Sequence, residues 1–483
     1  MKSDILVVTY NTEPWNLAVT LDIIIEEIKK EKQITWFLLE DESLDNAFLP
    51  LSSRIRSYEI QVLLNRLGTS SIDFFKNVRI IDSINLISPT IKVNERAKEA
   101  ARAELISRLR ESNPCEVHNQ KVLGKYSKKY LELNHFFYEY LAKNKFKKAY
   151  VFNGRPLCER AFTHAALDRG QNLEYFENFN ANWTDRYFIF GKPIHSARYR
   201  SRIMLDFSED AKRKNQRKFK EDASIWFEQR IAGVTQPYTK NQRISDSLSI
   251  KKPFYVYFHS SQDELDMVGM ADKYWGDQFN TLRILVSLFR SQSDYQLVLR
   301  VHPHLKHKSS KDQNNWNKIG KELQIKYPWF TYFGPNDPVS SYRLIQEARG
   351  VITSGSTIGV EAAYLRKNSV LLGNAFHKPM GITINPKNKD QLHKLIFTSK
   401  LPRNSERSFC AALNYGYFHA NGGRTFSFIE HRGKNSYYLN SVRISYSLYL
   451  KAIRKIELKI SSLLKNRAKK CDCDTLINAS IRW

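Results

Sequence analysis

Long apolar runs are missing from this chain: no stretch approaches the ~18 residues that carry a helix across a bilayer. The apolar part of the opening "MKSDILVVTYNTEPW" is too short for a signal peptide and reads as a first strand, so a cytoplasmic location is expected. Cysteine is scarce as well. Five cysteines among 483 residues, odd in number and scattered, do not make a disulfide framework and point to a reducing compartment. Cys471 and Cys473 lack a second pair nearby, so they read as part of a solvated tail rather than half a metal site. Acidic residues are under-represented: 49 Asp and Glu face 76 Lys and Arg, leaving a net charge of +27. That surplus points to an anionic partner, whether nucleic acid, an anionic membrane face or a phosphorylated substrate, and composition does not choose among them.

What is present is a globular composition, 42% hydrophobic and 13% aromatic, on a chain long enough for two domains. "DILVVTY" and "ITWFLLED" are continuous apolar runs, as in strands buried on both faces, and "PWNLAVTLDIIIEEIKK" between them has helical spacing. This alternation opens a doubly wound α/β sheet. Residues 45–145 are mostly helical in pattern and heavily charged, an elaboration of that first domain. "KKAYVFNGR" is a strand ending in a polar loop, "PLCERAFTHAALDRG" a helix stopped at Gly170, and "LEYFEN" the next strand. The stretch 232–252 reads as a linker. From "PFYVYFHSS" to "SVLLG" a second α/β series alternates regularly enough to make a second parallel sheet. The expected domains are therefore 1–235, 250–400 and a tail over 401–483. Within that tail, Val442, Tyr446, Tyr449, Ile453, Ile456, Ile460 and Leu463 form one stripe of a basic helix over 441–470, which either packs on its own protein or lies on an anionic bilayer.

Three stretches concentrate polar groups where strands meet loops, the edge at which α/β sheets bind ligands. In "VITSGSTIGVEAAYL" a strand runs into Ser354, Gly355, Ser356 and Thr357 and then a helix, an arrangement that offers hydroxyls and backbone N–H groups to an anion. Glu361 follows, placed to accept from a sugar's vicinal hydroxyls; the plain alternative is an ordinary helix cap. "LVLRVHPHL" places Arg300, His302 and Pro303 at a strand end, and "YFHSSQDELD" places Ser260 and Ser261 at another. His302, His304 and His307 lack an accompanying carboxylate or cysteine, and Lys306 and Lys308 repel a cation, so no metal site is expected there. The one Asp-x-Asp, Asp472-Cys473-Asp474, lies in the tail away from any strand end.

"RVHPHL", "SSYRLIQEARGVITSGSTIGVEAAYLRKNSVLLG" and "YVFNGR…RAFTHAALDRG…EYFEN" resemble bacterial capsule and surface-polysaccharide biosynthesis proteins, glycosyltransferases of the GT-B class. The resemblance is best over about 250–375, weaker over 148–180 and faint elsewhere. It implies two Rossmann-like domains facing across a cleft, a CMP- or UDP-activated sugar held by the second, and a glycan or lipid-linked acceptor. On the matching positions it implies His302 and Pro303 at the donor phosphate, Ser354, Ser356 and Thr357 in a phosphate loop, and Glu361 near the ribose. Where family members have Gly-Lys-Pro, this chain has Arg366-Lys367-Asn368. Sugar transfer needs a stabilised leaving phosphate and, for inversion, a base. Glu13, Glu40, Asp41 and Glu177 are candidate bases in the first domain, Glu177 favoured, with Asn153 and Arg155 holding a sugar. No cofactor and no metal are expected. A nucleotide-sugar epimerase of the same fold and a basic nucleic-acid-binding protein are the alternatives; no nucleic-acid reader motif is present.

Overall fold

The computed structural model describes residues 3–9, 14–38, 74–81, 92–111, 114–178, 185–193, 196–234, 250–270, 272–292, 294–307, 310–398, 406–433 and 436–444, with isolated positions 62, 65, 84 and 86. The chain divides into two compact units.

The first unit begins with β1 (Ile5–Thr9), α1 (Pro14–Lys29), β2 (Ile34–Leu38) and β3 (Val78–Ile81). Helices α2 (Glu95–Leu109) and α3 (Gln120–Lys143) precede β4 (Lys148–Phe152), α4 (Leu157–Asp168), β5 (Leu173–Asn178) and β6 (Arg186–Phe190). The central strand is β1, every residue of which is buried, with β2 parallel on one side and β4 on the other. Its apolar run has no polar alternation because both faces are covered. On one flank Phe37 of β2 meets Phe136, Phe137 and Tyr140 of α3 edge to face, with ring centroids 5.0–5.9 Å apart. Pro14 opens α1, where its missing N–H removes no helical bond. Gly170 ends α4 at φ +63°, as its position in the sequence predicts.

The second unit contains α5 (Ala197–Lys214), α6 (Gln216–Ile231), β7 (Phe254–Phe258), α7 (Gln278–Phe289), β8 (Gln296–Arg300) and α8 (Ser310–Lys326). It continues with β9 (Phe330–Phe333), α9 (Ser341–Glu347), β10 (Gly350–Thr353), α10 (Ile358–Tyr364), β11 (Ser369–Leu371) and α11 (Glu406–Asn421). Its sheet has the order β11-β10-β7-β8-β9, all parallel, so the winding direction reverses between β7 and β10. The parallel core of the first sheet, β5-β4-β1-β2-β3, reverses in the same way between β1 and β4. Both are Rossmann-type sheets, and such reversals are where ligands bind in open α/β folds. The α/β reading of the sequence holds for every strand named in it.

Four expectations are corrected. The 45–145 stretch contains β3, a strand of the parallel sheet as well as helices. The second unit takes residues 195–422 with 106–114, so α5 and α6 belong to it and not to a first domain ending at 235. The reason is packing: Phe227 of α6 stacks on Tyr364 of α10 at 4.0 Å, and α6 meets α11 closely at Gly416, where a Cβ would lie 2.4 Å from the Phe227 ring. The tail is not one appendage either, since α11 packs in the second unit while 423–444 belong to the first. Finally, Val442–Ile444 is a strand, not the start of a helix; it forms a three-stranded sheet with Glu430–His431 and Tyr437–Leu439. Residues 445–470, Glu13, Glu40, Asp41 and Asp472–Asp474 lie outside the described residues, as does most of the 232–252 linker.

The returning segment is fastened by one carboxylate. Asp22 of α1, fully buried, accepts from the N–H groups of Ser427 (3.0 Å) and Phe428 (2.7 Å) and from the Tyr187 hydroxyl (2.8 Å). Loss of that acceptor leaves the buried Tyr187 hydroxyl unmet, worth ~1–3 kcal/mol in desolvation, and frees the N–H groups of half-buried Phe428 and exposed Ser427. Asp22→Ala is therefore expected to lower the stability of the first unit by about 2–4 kcal/mol and to expose 423–444 to protease. An unchanged melting curve and cleavage pattern would show the fastening to be dispensable.

Candidate functional site

In the second unit the loop after β7 neighbours the loop after β10 on one side, where the winding reverses, and the loop after β8 on the other. β7 ends in His259, Ser260 and Ser261, and Gln278 at the start of α7 grips the Ser260 backbone twice: Ser260 N–H donates to Oε1 (2.8 Å) and Nε2 donates to the Ser260 carbonyl (3.0 Å). The Ser260 hydroxyl, on a residue 4% exposed, has no hydrogen-bond partner among the described residues. It lines a pocket together with Ser261, His259, His302, Asp263 and Asp312. His302 is held by two backbone bonds. Its Nδ1 accepts from the His304 N–H (3.0 Å), and its own N–H points to His259 Nδ1 at 3.5 Å. An imidazole that accepts at Nδ1 carries its proton, when neutral, on Nε2, and is thereby a donor there. Pro303 opens the short 3-10 turn Pro303–His307 that directs the chain away after His302.

The hydroxyl loop after β10 is shaped by two glycines. Gly355 has φ +144°, and a Cβ there would lie 2.6 Å from Leu265 Cδ1 and 2.9 Å from the Asn374 carbonyl. Gly373, at φ +146°, would press a Cβ to 2.9 Å from the Ser354 carbonyl. Each glycine thus makes room for the other loop's backbone. Ser354 is buried with its hydroxyl 2.8 Å from that of Tyr257 on β7, which links this loop to the neighbouring strand. The N–H groups of Gly355 and Ser356 turn back to Thr353 Oγ1, at 3.4 and 3.0 Å, and Ser356 Oγ accepts from Ile358 N–H at 3.3 Å. With α10 only seven residues long, the loop's exposed hydroxyls, not a helix dipole, are what it offers a ligand.

Two expected residues take other roles. Arg300 is 1% exposed and donates to the carbonyls of Gly334, Asp337 (3.2 Å) and Val339 (3.2 Å), with burial pushing its guanidinium down to about 10. Its Nη1 and Nη2 tie the loop after β9, while its Nε is buried without a hydrogen-bond partner among the described residues. Glu361 is buried in an ion pair with Arg230 of α6, whose Nη2 and Nε lie 2.6 and 3.0 Å from Oε1, and so is not presented to a ribose. Arg366 adopts φ +57°; its guanidinium sits 2.8 Å from Glu406 and lies over the Phe409 ring.

The first unit carries its own cluster at the carboxyl ends of β4 and β5. Asn153, fully buried at φ +50°, donates from Nδ2 to Glu177 Oε2 and accepts at Oδ1 from Arg155 Nε (2.7 Å). Glu177 Oε1 accepts from the Asn178 N–H at 3.1 Å. Both carboxylate oxygens are therefore engaged, which fixes the group's orientation. Glu177, Asn153 and Arg155 are brought together, as the loop pattern suggested.

His259 and Asp312, which line the pocket, Tyr257, which holds the hydroxyl loop, and Arg230, which pairs with Glu361, were not singled out in the sequence. His259 stands inside "YFHSS" and follows the same strand-end logic as His302. Arg230 has no local signal, being 131 residues from its partner. Among the described residues no three His, Cys, Asp or Glu side chains are grouped to hold a metal ion, and no helix is long and apolar enough to cross a membrane.

Residues 201–419, just under half of the chain, match the family model described as capsule polysaccharide biosynthesis protein. A Rossmann-type unit with its polar loops at the winding reversal is the class of protein seen here. Over that segment the chain is similar to the capsule polysaccharide biosynthesis proteins. None of the curated proteins matches it. Among solved structures it is similar to Thermosulfurimonas dismutans KpsC, beta Kdo 2,4 transferase, at 9% identity and TM-score 0.36 over 57% of this chain and 80% of that one. The beta Kdo 2,7 transferase of the same organism's KpsC gives 15% identity and TM-score 0.33 over 57% and 78%. UDP-GlcNAc 2-epimerase from Neisseria meningitidis gives 12% identity and TM-score 0.29 over 85% and 97%. At such scores the conclusions below rest on the family match and the geometry.

Behind the β11 loop, His377 and His419 are buried, and desolvation pushes their imidazoles down to about 4 and about 3, with Arg200 and Arg230 also disfavouring charge on His419. Unfolded histidine titrates near 6.5, so between that value and pH 4 the unfolded chain binds protons the folded one does not. Stability of the second unit is fully present above pH 6.5 and is lost as pH falls, by up to roughly 1.4 kcal/mol per pH unit for each histidine. Denaturant melts at pH 7, 6 and 5 should show this slope, smaller in His377→Gln; a flat profile would contradict neutral burial.

Proposed function

We propose that this chain is a metal-independent GT-B glycosyltransferase that moves a sugar from a CMP- or UDP-activated donor to a glycan or lipid-linked acceptor in capsule synthesis. The observation that carries the reading is the pocket at the carboxyl ends of β7 and β8, where the Ser260 hydroxyl, buried and without a hydrogen-bond partner among the described residues, stands with the His302 imidazole. Departure of the nucleotide leaves charge on its phosphate, and oriented neutral donors stabilise that charge without reorganising. His302 Nε2 and the hydroxyls of Ser260, Ser261, Ser356 and Thr357 are the donors assigned to it, and Glu177, braced by Asn153, is the base that takes the acceptor hydroxyl's proton.

His302→Ala is expected to cut transfer by about 10²-fold or more with melting unchanged, and Glu177→Gln to abolish transfer while nucleotide binding persists. Chelator should leave wild-type turnover intact. A thermal-shift screen of CMP, UDP, GDP and dTDP identifies the nucleotide; stabilisation by none of them refutes the reading, and donor turnover without acceptor marks an epimerase instead.

The basic tail beyond 444 is assigned to an anionic membrane face. The chain should co-sediment with vesicles rich in anionic lipid, and one truncated at 444 should not; equal pelleting of both would return the tail to the protein's own surface.

A further inference from the structure

We propose that the donor's phosphate charge is met by Arg230 and Lys378, two cations that bracket the hydroxyl loop from outside the strand-edge motifs. The inference deepens the nucleotide-sugar reading above and rests on it.

Arg300, the cation that the motif offers, is consumed by three backbone carbonyls. The guanidinium that does reach the loop is that of Arg230: its Nη2 lies 3.4 Å from Thr357 Oγ1 as well as 2.6 Å from Glu361. Its side chain is 12% exposed while that of Glu361 is 2% exposed, so the pair opens outward on its cationic side. Trp226 lies against the guanidinium at 4.6 Å, bracing it. Glu361 thereby becomes a positioning residue: it aims the arginine at the loop and does not itself meet the sugar. A buried ion pair is a weak source of net stability. One that terminates on a ligand-loop hydroxyl has a directional use, because an arginine fork suits a phosphate's oxygens.

Lys378 stands on the loop's other flank. Its Nζ is 2.8 Å from both the Gly373 carbonyl and Asn374 Oδ1, the two residues whose backbone abuts Ser354 and Gly355. Its nearest carboxylate, Asp272, is 3.7 Å away, and the side chain is 35% exposed. The ammonium is therefore fixed within one residue of the loop contact and still open to solvent. Together the two side chains make a positive bracket around four small residues, which suits a phosphate better than a neutral sugar ring.

The test is calorimetric titration of the full-length protein with CMP and UDP and with the uncharged nucleosides cytidine and uridine. Arg230→Lys and Lys378→Gln are each expected to weaken nucleotide binding about tenfold or more while nucleoside binding stays within about twofold. Arg230→Gln combined with Glu361→Gln removes both buried charges and should show the same selective loss, which covers the case in which a single variant fails to fold. Wild-type nucleotide affinity in folded Arg230→Lys and Lys378→Gln overturns the inference, as does equal loss for nucleotide and nucleoside, the mark of a purely structural role. Wild-type protein that binds no nucleotide overturns the donor reading itself, a result distinct from any behaviour of the variants.

Discussion

Two loops in the second unit come together backbone against backbone, and that approach is possible only because neither carries a Cβ at the contact. Gly355 faces the Asn374 carbonyl and Gly373 faces the Ser354 carbonyl, both at φ near +145°. The remaining features of the rim follow from it. With the β10 loop pinned, the Ser354 hydroxyl turns inward to Tyr257, and Thr353 Oγ1 gathers the next two N–H groups. Ser356 and Thr357 are then the hydroxyls left at the surface of the loop. The same contact brings Lys378, bound to the Gly373 carbonyl, alongside. A side chain larger than hydrogen at either glycine would separate the loops, so the rim's geometry is a backbone property before it is a side-chain one.

Much of the fold was legible because strands of a parallel sheet buried on both faces leave continuous apolar runs, and these are hard to confuse in a basic, polar sequence. "FYVYF", "QLVLR" and "GVIT" are such runs. Elements that draw stability from distant partners were less visible. β3 is short, its middle residue Arg79 is exposed, and its place in the sheet comes from pairing with β2, some forty residues earlier in the chain. At 437–444 helical spacing from Val442 onward competed with a hairpin signal. Tyr437, Leu439 and Ile444 are buried while Asn440 and Ser441 both adopt positive φ, the two-residue turn that suits strand twist. Asn followed by a small residue between apolar alternations carried that information, but the longer basic stripe obscured it.

The site was legible to the extent that it sits at strand ends. Ser260, Ser261, His302 and the 354–357 loop are all adjacent because β10, β7 and β8 are consecutive in the sheet, an order that regular α/β alternation implies. What the motif could not reveal is which side chains turn inward. Arg300 and Glu361 occupy positions that look exposed on a strand end and a first helical turn, yet each is buried by a segment remote in sequence: the loop at 334–339 for one, α6 for the other. Burial directs a charged group to internal partners: the carbonyls at 334–339 for Arg300 Nη1 and Nη2, and Arg230 for Glu361 Oε1.

That rule also explains why a net charge of +27 says little about the pocket itself. Among the described residues, pairs such as Lys98–Glu95, Arg202–Asp206 and Arg217–Glu221 are exposed on both sides and worth a fraction of a kcal/mol each. At the pocket the polar groups have a fixed direction: an imidazole oriented by a backbone N–H and a serine clamped by Gln278. Phosphate recognition at a sheet edge depends on such fixed donors because they are already in place when charge develops. Diffuse surface charge serves the encounter with an anionic partner, and a few braced groups serve the chemistry; the two kinds of basicity in this chain are physically separate and titrate with salt differently.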